Sequence, residues 1–87
     1  MATASSTVEI GAQVRDARRA RGLTQAVLAE RAGVSRKFVI DLERGQRTRA
    51  ELDRVLAVVR ALDLEIALVD RSRPTFDAAL DELLGRS

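Results

Sequence analysis

Between Leu23 and Gly45 the sequence divides into two short apolar-striped stretches, split by Gly33-Val34-Ser35 and closed by Gly45. Thr24 offers a side-chain oxygen to the free N–H groups of the first stretch, whose stripe is Leu28, Ala29 and Ala32 before Gly33 ends it after about two turns. Ser35 plays the same capping part for the second, where Val39 and Leu42 point inward at i, i+3. Helices this short are marginal alone in water and need apolar surface from elsewhere in the chain.

That surface lies on both sides. Upstream, Val8 to Arg21 repeats apolar residues at Ile10, Val14 and Ala17, a helical period, with Gly22 as the residue that leaves the helix. Downstream, Thr48-Arg49-Ala50-Glu51 reads as a capping box ahead of a stripe at Leu52, Val55, Leu56, Val59 and Leu62. The spacing therefore predicts four packed helices. The even spacing of Gly11, Gly22 and Gly33 reads as helix punctuation and not as an internal repeat.

The next stretch alternates differently. Leu64-Glu-Ile-Ala-Leu-Val69 has period two and reads as a β-strand with no partner strand in its own chain. A lone strand leaves its backbone groups unpaired, and a second copy about a twofold axis repairs this, with Leu64, Ile66 and Leu68 at the interface of a homodimer. The alternatives are a continuation of the fourth helix or a docked tail. Arg71 to Thr75 holds the only proline and serves as a hinge before an amphipathic segment in which Phe76, Leu80, Leu83 and Leu84 share a face. This segment either packs on its own dimer or is presented to a partner protein. The expected organisation is thus a disordered N-terminus over 1–7, a helical domain over 8–62, a dimerisation strand over 63–70 and an amphipathic tail over 71–87.

Charge is distributed unevenly. The first fifty residues carry ten Lys and Arg against five Asp and Glu, whereas the remainder is net acidic within a total of +2, which suggests different partners for the two halves. With neither Cys nor His among its 87 residues, the chain lacks disulfides, the usual zinc ligands and the commonest general base and nucleophile. No enzyme activity, cofactor or metal is expected. Two phenylalanines, Phe38 and Phe76, are too few aromatics for a single-strand stacking surface but leave duplex binding open. No signal peptide or membrane-spanning run is evident, and a cytoplasmic protein is expected.

A short helix, a glycine-containing turn and a second short helix with a polar, basic outer face form a helix-turn-helix, which projects the start of its second helix into the major groove. At that start stand Arg36 and Lys37, with Asp41 about one turn on. A guanidinium pairs bidentately with guanine, a lysine serves guanine or phosphate, and Asp41 accepts from cytosine or orients its basic neighbours. Phe38 is either at a thymine methyl or packed on the preceding helix. Arg44, Arg47 and Arg49 are candidate phosphate clamps.

The positions Thr24-Gln25, Leu28-Ala29, Gly33-Val34-Ser35 and Glu43-Arg44-Gly45 together resemble the XRE (Cro/C1-type repressor) family over roughly residues 10 to 62. The resemblance implies a mainly α, lambda-repressor-like fold of four to five helices, with Gln25 and Ser35 holding phosphates and Arg18 and Glu43 forming an internal salt bridge. Continued through Val55-Leu56, Ala61-Leu62 and Leu64 to Val69, the sequence is similar to HipB-like antitoxins, which repress their own operon and bind a HipA-type kinase toxin. Asp63 replaces the glycine usual there, and Thr48-Arg49 a common Asn-Pro. Function is then that of an autorepressing antitoxin on palindromic operator DNA; the alternatives are a free-standing dimeric repressor and a protein-interaction adaptor on the same fold.

Overall fold

The computed structural model describes residues 3–70 and 84–85. Among these residues there are four helices: α1 (Thr7–Ala20), α2 (Gln25–Ala32), α3 (Arg36–Glu43) and α4 (Leu52–Ala61). Helix α3 packs against both α1 and α2, and α2 packs in turn against α4. Their shared core is Val14 of α1, Leu28 and Ala29 of α2, Phe38, Val39 and Leu42 of α3, and Val55, Val58, Val59 and Leu62 at α4. Val39, Phe38 and Leu42 are the α3 residues most deeply set in it, at 0%, 1% and 1% exposure. Such burial contributes about 1.5–3 kcal/mol per large side chain, and it fixes which side of α3 is left outward.

The start signals of α2 and α3 are those the sequence offers. Thr24 Oγ1 accepts from Val27 N at 3.1 Å and Ser35 Oγ from Phe38 N at 3.0 Å. Helix α1 has a fuller cap than expected, lying partly in the segment assigned to disorder. Ser6 Oγ accepts from Glu9 N at 3.2 Å, while the Glu9 carboxylate reaches back to the Ser5 backbone N–H at 2.6 Å. Helix α4 departs the other way. Its N-cap is Glu51, which makes no side-chain cap bond, and Thr48 sits in the preceding turn. The Glu51 carboxylate lies instead 3.5 Å from Arg54 Nε, so the capping box expected over Thr48 to Glu51 does not form.

All four helices end alike, with an N–H bonding back to the carbonyl five residues earlier. Val34 N to Ala29 O at 3.0 Å and Leu64 N to Val59 O at 3.1 Å are two of these closures. The residue between must take a left-handed conformation; at α2 it is Gly33, φ 70°, and at α4 it is Asp63, φ 60°. Aspartate tolerates that region better than most side chains, so α4 stops where a glycine would have stopped it. The alternative in which α4 simply continues past residue 62 is thereby excluded.

Two expectations need correction. Gly11 is not punctuation: it is buried within α1, and a methyl group in its place would fall on the Leu42 carbonyl of α3. Leu52 is not in the core but 66% exposed, because α4 begins at that residue and the buried row is Val55, Val58, Val59 and Leu62. Among the described residues there is no strand, and residues 64–70 are exposed; the expectation of a strand over 63–70 concerns one half of a pair between two copies. Leu64, Ile66, Leu68 and Val69 are exposed at 39%, 45%, 99% and 52%. The physical reason is the one that motivated the pairing, since a strand within a single chain has nothing to pair with. Of the tail residues, Phe76, Leu80 and Leu83 lie outside the described residues, as does any fifth helix, while Leu84 is exposed beside Gly85 in a turn.

Candidate nucleic-acid interface

Because Phe38, Val39, Leu42 and Glu43 face inward, the opposite side of α3 carries Arg36, Lys37, Ile40, Asp41 and Arg44. Arg36, Lys37 and Arg44 are exposed, and Ile40 and Asp41 are half-buried. The two readings left open for Phe38 are decided in favour of packing, since at 1% exposure it reaches no ligand.

Asp41 does not stand alone on this face. Its Oδ2 accepts from Lys37 Nζ at 2.9 Å and lies 3.8 Å from Arg47 Nε. The hydrogen bond from Lys37 holds the Asp41 carboxyl below the usual carboxylate range, with the charges of Arg47 and Arg44 acting in the same direction against partial desolvation. The Arg47 guanidinium lies 5.1 Å from the centre of the Phe38 ring, and its Nε is buried without a hydrogen-bond partner. Arg47 is thus held against the fold between an aromatic face and a carboxylate. Asp41, which would repel a phosphate if bare, is largely neutralised by the cations around it.

A second network ties the first three helices together. Arg18 of α1 donates Nε to Glu43 Oε2 at 2.7 Å and Nη2 to Glu43 Oε1 at 3.0 Å, the bidentate arrangement that suits a guanidinium and a carboxylate. Its remaining arm, Nη1, donates to the Leu23 carbonyl at 2.8 Å. The hydrogen bond to Glu43, aided by the charge of that carboxylate, pushes the Arg18 guanidinium further up from its ordinary value against desolvation. Gln25, the first residue of α2, donates Nε2 to Glu43 Oε1 at 3.2 Å. The salt bridge expected from resemblance is therefore present and also fixes the orientation of the Gln25 amide, leaving its second N–H for a ligand.

Gln25 lines an open basic groove. One side is lined by Arg18, Arg19, Thr24, Ala26 and Arg36, and an adjoining hollow by Arg15, Arg18, Arg19, Glu43 and Arg44. Of the residues singled out in the sequence, Gln25, Arg36 and Arg44 are brought together here. Ser35 caps α3, and Arg49 is exposed in the turn before α4 and does not line the groove. Arg15 and Arg19 were missed. Their i, i+4 spacing on the outward side of α1 was the available signal, but only the packing of α1 against α3 carries them to the same hollow as Arg44. Among the described residues no His, Cys, Asp and Glu group is suited to hold a metal ion, and no helix is long and apolar enough to cross a membrane.

The pairing of α2 and α3 through the Gly33 turn, with the outer face of α3 basic and its inner face in the core, is a helix-turn-helix unit. The helix-turn-helix family pattern matches residues 14–69, and the chain belongs to that family of transcriptional regulators, in its XRE-type branch. It is similar to y4mF of Sinorhizobium fredii (strain NGR234), an uncharacterised HTH-type transcriptional regulator. The two are 41% identical over 61 residues, covering 70% of this chain and 79% of the relative. The restriction-modification controller protein C.AhdI from Aeromonas hydrophila is 41% identical and superimposes with a TM-score of 0.63, over 68% of this chain and 88% of that one. HipB in its complex with an O4 20-mer superimposes with a TM-score of 0.75 over 83% of this chain and the whole of that one; at 19% identity the likeness is one of fold.

Proposed function

We propose that this protein is a homodimeric regulator that binds palindromic operator DNA in the cytoplasm, with α3 in the major groove. The observation that carries the reading is the outer face of α3, where Arg36, Lys37 and Arg44 stand clear of the core beside a groove walled by Arg15 and Arg19. Arg36, Lys37 and Asp41 read bases, the last through its pairing with Lys37. Gln25, Ser35, Arg44, Arg47 and Arg49, joined by Arg15 and Arg19, hold phosphates and set the register. C.AhdI, whose described role is control of a restriction-modification system, supports gene regulation as the task.

Dimerisation rests on residues 64–70, whose exposed Leu64, Ile66 and Leu68 gain both burial and backbone partners by pairing with a second copy. Sedimentation of the intact chain and of Ile66→Pro, together with footprinting on the DNA upstream of its gene, tests this reading. The expected result is a wild-type dimer protecting two half-sites about one helical turn apart and an Ile66→Pro chain shifted to monomer. A wild-type monomer, or protection of no particular sequence, contradicts it.

The likeness of fold to HipB, one structure of which is a HipA-HipB-O2-O3 complex, supports a second reading, in which the dimer is also the antitoxin of a HipA-type kinase and the segment after residue 70 is its handle. A neighbouring kinase-like protein would then co-purify with the intact chain and not with one truncated after Val69. Retention of operator binding without such a partner leaves the protein a free-standing repressor.

A further inference from the structure

The outward face of α3 holds one residue that the cationic reading does not use. Ile40 is half-buried, yet it is not one of the apolar side chains packed against the core; those are Ile10, Ala17, Leu23, Ala32, Val34, Ala50 and Ala61. It lies in a single row with Arg36 and Arg44 at i, i+4 and i+8, on the side of the helix opposite Phe38 and Leu42. A branched apolar side chain between two exposed arginines is costly to leave in water and adds nothing to electrostatic attraction for DNA. The flanking guanidiniums bring phosphates and guanine edges to either side of it, so a duplex is the occupant with the complementary charge. The apolar group that a duplex offers in its major groove is the 5-methyl of thymine.

We propose that Ile40 is a specificity-determining residue that reads a thymine methyl in each half-site. The proposal rests on the reading of α3 as the DNA-binding helix and adds to it a base preference that Arg36, Lys37 and Asp41 do not supply. A β-branched side chain is stiff about its first torsion, so little rotamer freedom is lost when it seats against the methyl. Covering one methyl group is worth about a fourfold change in affinity, compounded when both half-sites of a dimer are altered.

The test leaves the protein intact and changes the DNA. A duplex is selected by the wild-type chain from a randomised pool, then resynthesised with deoxyuridine replacing each half-site thymidine in turn, which removes the methyl and nothing else. Wild type is expected to lose about fourfold at one position per half-site, and Ile40→Ala to bind the two duplexes equally while still preferring the selected sequence. Uridine that is neutral at every position, a selected site without half-site thymine, or a uridine penalty that persists in Ile40→Ala would each overturn the proposal with the regulator reading intact. A pool that yields no preferred sequence overturns that reading, and this one with it.

Discussion

Removing the Glu43 carboxylate leaves Arg18 without its bidentate partner and Gln25 without the bond that orients it. Both charged side chains are largely shielded, at 11% exposure for Arg18 and 3% for Glu43. Breaking a buried pair by deleting one partner typically costs about 3–5 kcal/mol, and the partial access of water to Arg18 places Glu43→Ala at about 3 kcal/mol, the low end of that range. A core of this size supplies only about 3–5 kcal/mol net, so most of the stability goes. Each kcal/mol corresponds to roughly 4–8 °C for a domain of this length, so thermal melting followed by circular dichroism should fall by more than about 10 °C. Replacing both partners with apolar residues of similar size, Arg18→Met with Glu43→Leu, should recover much of that loss, because no buried charge is then left alone. A Glu43→Ala chain melting within about 3 °C of wild type would refute the reasoning. So would a double variant no more stable than Glu43→Ala.

Gly11→Ala should destabilise by about 1–2 kcal/mol in urea titration, the overlap with the Leu42 carbonyl outweighing alanine's better helix propensity; a more stable variant would mean that α1 and α3 are less closely apposed. Asp41 titrates below the ordinary carboxylate range in the folded chain, so its pairing with Lys37 stabilises the fold at neutral pH and is lost as pH falls through that lowered value. Carboxyl resonances followed by NMR should place its midpoint below the ordinary aspartate range, and Lys37→Ala should move it up; a midpoint unmoved by Lys37→Ala would remove Lys37 as the cause.

What could be read in the sequence was whatever a local rule determines. Thr24 and Ser35 cap the helices they precede, and Gly33 ends α2, because those features need only neighbouring residues. The Ser6 cap passed unnoticed because the small, polar run before it resembles a loose terminus. Gly11 had no local signature at all: its reason is the backbone of α3, distant in sequence. Asp41 is similar. Its i, i+4 relation to Lys37 was legible, whereas the approach of Arg47 depends on how the chain turns after Gly45 and lies over Phe38. The groove around Gln25 likewise needed α1 docked on α3 before Arg15 and Arg19 could join it. Residues 64–70 carry no strand in the single chain because a strand is a property of a pair, and periodicity in one chain cannot supply its partner.

The central claim, that the N-terminal end of α3 reads duplex sequence, is tested most directly by binding in a salt series to the footprinted operator and to a shuffled duplex of the same composition, for wild type and Arg36→Ala. Wild type should prefer the operator by about a thousandfold or more at physiological salt, and Arg36→Ala should lose far more on the operator than on the shuffled duplex. Equal affinity of the wild type for both, or an equal loss on both in Arg36→Ala, would contradict the claim and leave α3 a phosphate-binding surface without sequence discrimination.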